Sequence, residues 1–382
     1  MEQEQITRNQ YFDIYDRNKT HEQISLDITE IEQLFSHEDK KERLTRLEDK
    51  RPWTLVKNTI NRYIPIAKAL VSSGTYSIGA GLDYDTVTLF EADIAAQLTG
   101  NLTGEHADEE TSITSAITFD TDTNSYLLKL TAASGAEHNG TAYGNGARIN
   151  FSHNDSIIFD ETNDGDLDDV EISKLALDIR DSLIGVRFND GGNSGLLKVN
   201  RLLFKGNADT LLGCFVNSEG ANTRITNSIF YDIGNVAGEG AIRYRDPTSG
   251  HNHLIANNTI INCYEGITQD DDTTNATDIV KNNLIQNSSN KDFRDDGGGF
   301  GTTSKNISED ATSPDAAYQS KEVIFVDEAN DDYHLASTDI QAKDAGEDLS
   351  ATFTDDIDGN TRAAGTDWDI GADERTSTAI RS

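Results

Sequence analysis

The sequence predicts a mainly β chain, wound as a right-handed parallel β-helix solenoid behind an α-helical N-terminal segment. Three observations carry the solenoid. First, five segments can be laid over one another: ISKLAL from Ile172, VNRLLF from Val199, ITNSIF from Ile225, IANNTI from Ile255 and VKNNLI from Val280. Their starts lie 27, 26, 30 and 25 residues apart, and each segment opens on a β-branched residue and closes on an apolar one. Periods of this size with strand-like content indicate a solenoid, and the long 3.6-spaced runs of a helical repeat are absent. Second, Asn227, Asn257 and Asn282 hold the third place of three consecutive segments. Stacked in register, such amides can bond to one another along the column and satisfy the bend between two sheets. Third, a further strand per coil is visible in GVRF, GCFV, AIRY and EGIT, each followed by a polar turn.

Four regions follow along the chain. Residues 1–72 read as helical. Ile24, Ile28, Ile31, Leu34 and Phe35 keep the spacing of one helix face, Ser36 opens a second helix, and Pro52 suits the first turn of a third. These helices are too short and polar to form a core alone, so they are expected to dock on a partner or on copies of themselves. Residues 73–145 read as an N-terminal cap of the solenoid. LFEADIAAQL is expected as one amphipathic helix, and ITSAITFD and YLLKLTAA as two strands. A cap is needed because an open stack exposes unpaired backbone and apolar side chains. The coils are assigned to residues 146–310, with an early one beginning near Ile149, and residues 311–382 to a closing segment.

Composition limits the partners. The chain has 382 residues, with 67 acidic against 32 basic side chains and a formal net charge of −35. Such a surface repels phosphate backbones and anionic membranes, so neither nucleic acid nor membrane insertion is expected. Cys214 and Cys263 each sit in an apolar run, which reads as two small buried hydrophobes without a disulfide. The opening MEQEQITRNQ lacks the apolar stretch of a secretory signal, so synthesis in the cytoplasm is expected.

The rungs NSIFYDIG, NNTIINC and NNLIQNS resemble those of the right-handed parallel β-helix superfamily, the pectate-lyase-like fold. The tail is similar to the closing segment of many bacterial and phage members through Asp358, Gly359, Arg362, Gly365, Asp369, Ile370, Gly371, Ala372 and Glu374. The stretches IGAGLDYDTVTLFEADI and GAEHNGTAYGNGARI look like phage- and prophage-encoded β-helix proteins, in which an N-terminal segment docks onto the particle. The resemblance spans roughly residues 73–375. It implies a virion structural protein, whether head decoration, collar or tail fibre, that contacts other virion proteins through residues 1–72 within a larger assembly and presents a surface to host glycans. The fold also hosts polysaccharide lyases and glycoside hydrolases, which is the alternative.

Candidate chemistry is sparse. Lyases of this fold need carboxylates for Ca²⁺ and a basic residue, and hydrolases need a carboxylate pair. Asp270, Asp271 and Asp295 in turns, with Arg243 and Arg245 at the AIRYRD strand, are the candidates. In so acidic a chain neighbouring turn carboxylates also arise by chance, and no lyase or hydrolase motif accompanies them. Asp164, Asp166 and Asp168 alternate as Ca²⁺ ligands could, or form a solvated turn; no cofactor is required. Tyr231, Tyr244 and Tyr264 come from neighbouring coils and could stack on sugars if they share an outer face, with packing inside the coils as the other reading. His251 and His253 read as a turn pair lacking a third metal ligand, and Gly297, Gly298 and Gly299 as a flexible excursion from the last coil. Asp355, Asp356 and Asp358 also look like metal ligands, but the resemblance implies that they belong to a terminal structural loop, and no metal is assigned there.

Overall fold

The computed structural model describes residues 70–375 except 152–156, 161–166, 168, 181–183, 190–194, 218–221, 246–251, 271–276 and 363–366. The helices expected in the N-terminal segment therefore lie, up to residue 69, outside the described residues. So do Asp164, Asp166, Asp168, His251 and Asp271.

The chain is a parallel β-helix built from three sheets. Sheet I has nine strands, from Gly74–Ile78 to Thr302–Ser304, sheet II eight, from Glu110–Ile113 to Ile307–Ser308, and sheet III seven, from Ile117–Phe119 to Lys291–Asp295. Every pairing within these sheets is parallel, and the chain visits sheets I, II and III in turn, completing seven three-strand coils among the described residues. A parallel stack of this kind pairs each backbone with the coils before and after it, about 4.8 Å away.

The register read from the repeat is the register of sheet I. Ile172 pairs with Val199, Val199 with Ile225, Ile225 with Ile255 and Ile255 with Val280. The earlier coil is displaced from its expected start. Leu130, not Ile149, is the partner of Ile172, whereas Ile149 faces Leu177 in sheet II. The coils also begin sooner, because ITSAITFD is divided between sheet II (Glu110–Ile113) and sheet III (Ile117–Phe119). Of LFEADIAAQL only the first three residues are helical, the end of a short helix Val87–Glu91 capped by the Thr86 hydroxyl. The chain then turns so that Ile94 can bridge to Val71, and that backbone pairing ends the helix. The buried Val87 and Phe90 cover this end of the stack.

Inward positions form continuous columns. Leu177, Phe204, Phe230, Ile260 and Ile285 line sheet II; Ile157, Val186, Cys214, Ile242, Ile267 and Phe293 line sheet III. Phe119, Phe159 and Phe188 stack at 5.1 Å steps, and Phe204 on Phe230 at 4.4 Å. Each fully buried aliphatic side chain of such a column contributes roughly 1.5–3 kcal/mol. Cys214 and Cys263 are buried free thiols, as the apolar runs imply.

The bend from sheet I to sheet II explains the third place of the repeat. Lys174, Arg201, Asn227, Asn257 and Asn282 all adopt left-handed backbone, with φ between 48° and 62°. Asn tolerates this region better than other non-glycine residues. Asn282 Nδ2 does donate to Asn257 Oδ1 (3.1 Å), while Asn227 Nδ2 donates to Asn200 Oδ1 (3.1 Å). The longer ladder runs one residue later. Asn258 Nδ2 donates to Asn283 Oδ1 and Asn283 Nδ2 to Asn306 Oδ1, both at 3.0 Å, with all three side chains fully buried.

The closing segment does more than end the stack. Thr312 and Asp310 accept the Phe293 and Asp292 backbone N–H groups of the last coil. The chain then runs back along the outside of sheet II, where Val323, Phe325, Tyr333, Leu335, Ile357 and Ile370 cover Leu203, Ile229, Tyr231, Ile261 and Leu284 in a second apolar cluster. Arg362 fastens this sheath. Fully buried, it donates to the Gly371 and Ala372 carbonyls and to Glu374 Oε2 (2.9, 2.8 and 2.7 Å), and its guanidinium lies 5.5 Å from the Trp368 ring centroid.

Candidate functional site

The outer face of sheet III gathers the candidate residues that the structure brings together. One outward column runs Arg187, Phe215, Arg243, Thr268, Arg294 on consecutive coils. The guanidinium carbons of Arg187 and Arg243 each lie 5.9 Å from the Phe215 ring centroid, so the aromatic is held between two cations. Arg243 ion-pairs with Asp270 of the next coil, its Nε donating to Asp270 Oδ2 at 2.9 Å. Arg294 donates to both oxygens of the buried Glu265 (3.1 and 3.0 Å) and pairs with Asp296 at 2.7 Å. Burial opposes the Arg294 charge, but these two carboxylates outweigh it and raise its pKa. The buried Nε of Arg187 has no hydrogen-bond partner among the described residues.

This face can hold anions and flat rings. It presents three arginines at the fixed spacing of the coils with one aromatic, Phe215, between the first two, and carboxylates of a ligand can compete for the arginines. The other candidates separate from it. Asp295 accepts from the Gly297 and Gly299 N–H groups (2.8 and 2.9 Å), which makes the glycine run a tight turn. Gly297 and Gly299 adopt φ of 133° and 80°, a backbone that side chains disfavour, so glycine is required there. Arg245 is exposed at the strand end.

The three tyrosines do not form a sugar platform. Tyr231 and Tyr244 are fully buried and Tyr264 is half-buried. Tyr231 points outward from sheet II but lies under the closing segment, 5.5 Å from Tyr333, with its hydroxyl accepting from Tyr143 N–H. Tyr244 points into the coil against His253, at 5.4 Å. Packing decides both positions, because one faces the sheath and the other the core. The aromatic in the outward column of sheet III is Phe215, which is half-buried. Its signal was in the sequence, where Arg187, Phe215 and Arg243 hold the same place in GVRF, GCFV and AIRY.

Among the described residues one group has the spacing of a metal site: ligand atoms of His334, Asp358 and Asp373 lie within 4.8 Å of one another. The hydrogen bonding argues for a charged clamp instead. His334 Nδ1 faces Asp332 Oδ1 at 2.6 Å and Nε2 faces Asp358 Oδ2 at 3.0 Å, so both nitrogens serve as donors and neither keeps a lone pair for a cation. Burial works against the charge, but Asp358, then Asp373 and Asp332, outweigh it and lift the imidazole to about 10. Asp355 accepts from Asn200 and Asn227, and Asp356 from the Asn360 N–H, so both fasten the closing segment.

Comparison with protein-family models, with curated proteins and with solved structures found no match. The class that the fold defines is the parallel β-helix, and the site is described by its own chemistry.

Proposed function

We propose that this chain is a structural component of a phage particle, a head decoration, collar or tail-fibre element. Residues 1–72 dock on other virion proteins, and the right-handed β-helix projects as a rigid module whose sheet III face contacts acidic host-surface glycan. The observation that carries the glycan contact is the Arg187–Phe215–Arg243 column, three groups fixed by backbone pairing on one outer face. The amide ladders and the closing segment support the structural role, since both stiffen the stack against bending and proteolysis. The docking role rests on the resemblance and on the apolar stripes of residues 1–72.

The second reading is a depolymerase, a lyase or glycoside hydrolase acting on capsule or cell wall, favoured by the Arg243–Asp270 pair on the same face. Incubating the full chain with acidic capsular polymer, with and without Ca²⁺, separates the two. The structural reading expects retention of polymer that Arg187→Gln weakens, with no new reducing ends and no absorbance from unsaturated sugars. Either product would overturn it in favour of the enzyme. Deleting residues 1–72 is expected to abolish incorporation into particles, and retained incorporation would refute the docking role.

A further inference from the structure

Between Leu127–Ala132 of sheet I and Arg148–Phe151 of sheet II the chain passes through EHNGTAYGNG, residues 137–146. This loop holds both Asn–Gly pairs of the sequence, Asn139–Gly140 and Asn145–Gly146. In such a pair the backbone nitrogen of the glycine can attack the preceding side-chain amide, because glycine has no Cβ to hinder the approach. Residue 140 is glycine for structural reasons as well. Its φ is 70°, and a Cβ there would lie 2.6 Å from Asp358 Oδ1 and 2.8 Å from His334 Nε2.

Two groups set Asn139–Gly140 apart. The first is His138, whose Nδ1 accepts the Gly140 N–H at 3.1 Å. Its other ring nitrogen, Nε2, lies 2.8 Å from the Arg201 carbonyl, which can only accept. Nε2 therefore carries the proton, and Nδ1 presents a lone pair to the Gly140 nitrogen. Burial lowers the His138 pKa to about 4, and the Arg201 charge acts the same way. The Arg201 carbonyl, Asp358 and Glu137 oppose that shift only in part, Glu137 being paired with Lys174 at 3.4 Å. The ring is thus a neutral base. The second group is Thr141, whose hydroxyl and N–H both donate to Asn139 Oδ1, at 2.6 and 3.3 Å. This turn folds the side-chain amide back over the following peptide and polarises its carbonyl. Asn139 is exposed, so water reaches it. Asn145 is held differently. Its Oδ1 accepts from the Asn139 N–H at 3.0 Å, and its Nδ2 donates to Thr141 Oγ1 and to the Ala142 carbonyl. Among the described residues no side chain accepts the Gly146 N–H.

We propose that Asn139–Gly140 is a self-modification site, at which the chain converts its own asparagine through a succinimide to aspartate and isoaspartate. The Gly140 nitrogen attacks Asn139 Cγ while its proton passes to His138 Nδ1. The electron pair displaced onto Oδ1 is held by the two Thr141 donors. Collapse of this intermediate breaks the Cγ–Nδ2 bond, and Nδ2 takes the proton from His138 and leaves as ammonia. One water then opens the ring at either carbonyl, giving aspartate or its β-linked isomer. His138 acts first as general base and then as general acid, and ends unchanged. A base of such low pKa pulls weakly; its advantage is a fixed position beside the reacting nitrogen. The product carries a new negative charge one residue from the glycine that packs on His334 and Asp358.

The test is incubation of the full chain followed by tryptic mapping with mass spectrometry over time. Both asparagines lie in one tryptic peptide, Leu130–Arg148, so fragmentation compares them in a single sample. Asn139 should convert at least about tenfold faster than Asn145, the lower side of what general-base catalysis contributes. In urea the ratio should shrink toward unity, and a ratio that persists there would assign the difference to local sequence and overturn the proposal. Above about pH 5 the Asn139 rate should be flat, because His138 is already unprotonated, whereas the Asn145 rate should rise in proportion to hydroxide. His138→Gln can keep both hydrogen bonds and should bring Asn139 to the rate and hydroxide dependence of Asn145. If that variant does not fold, as judged by melting temperature, Thr141→Val decides in its place. It should slow Asn139 by about tenfold or more, as for loss of one oxyanion donor, and leave the flat pH profile. Equal rates at the two sites of the folded chain would overturn the proposal. So would a hydroxide-proportional rate at Asn139, or an unchanged rate in whichever variant folds.

Discussion

Replacing Asn283 by Ala tests whether the buried amide ladder holds the coils together. Its Oδ1 accepts from Asn258 N–H and Nδ2 (3.2 and 3.0 Å), and its own Nδ2 donates to the Ile255 carbonyl and to Asn306 Oδ1 (2.8 and 3.0 Å). Truncation therefore strands two buried donors on Asn258 and takes a donor from two acceptors. An unsatisfied buried group costs about 1–3 kcal/mol. Counting the two donors fully and the oxygens, which keep other lone pairs, only in part gives a loss of about 3–6 kcal/mol. Urea unfolding followed by circular dichroism measures the total. Amide exchange localises it, with protection expected to fall first around residues 255–260 and 280–285. The control is Asn262→Gly, an exposed left-handed position whose amide donates only to Asp232 Oδ1 (3.2 Å), where a change below about 1 kcal/mol is expected. If Asn283→Ala costs no more than the control, the column is a geometric coincidence and the coils are held by apolar packing alone.

His334 couples stability to pH. Its imidazole is raised from 6.5 to about 10 in the folded chain, so the clamp contributes fully below the unfolded value and is lost as pH rises through the folded one. Stability should fall by up to about 5 kcal/mol between those limits; His334→Gln should remove most of that slope, and an unchanged slope in urea midpoints would exclude the clamp. Arg362→Leu should cost about 3–5 kcal/mol, because it leaves the Glu374 carboxylate without its buried partner, and should expose residues 340–375 to protease. The Tyr244 hydroxyl is buried with no hydrogen-bond partner among the described residues. Tyr244→Phe should therefore leave the melting temperature unchanged or raise stability by up to about 1 kcal/mol, and a clear loss would mean that the hydroxyl is bonded.

How much of this was legible can be judged position by position in the repeat. The first and sixth places, such as Ile225 and Phe230, point inward as their apolar character implies. The third place was read as an amide column. It is better understood as the left-handed bend, since Lys174 and Arg201 occupy it as readily as Asn227. The fourth place, with Leu175, Leu202, Ser228, Asn258 and Asn283, carries the ladder in its later coils. Sequence similarity alone could not distinguish two adjacent columns of asparagine, because the distinction is which of them the bend turns inward.

The sequence by itself determined the stacking. Parallel pairing ties each residue to its equivalent one coil away, so a repeat with a stable register fixes which side chains share a column and which columns are apolar. Only the tertiary structure decided what covers each outer face. Tyr231 and Leu203 are outward residues made into core by a segment more than a hundred positions later in the chain. Lys198 and Arg224 are outward residues on a sheet that the same segment borders with Phe353 and leaves open. The physical reason is the difference in range. Register is a local, repeated backbone constraint, whereas coverage depends on where one non-repeating segment finds apolar surface to bury.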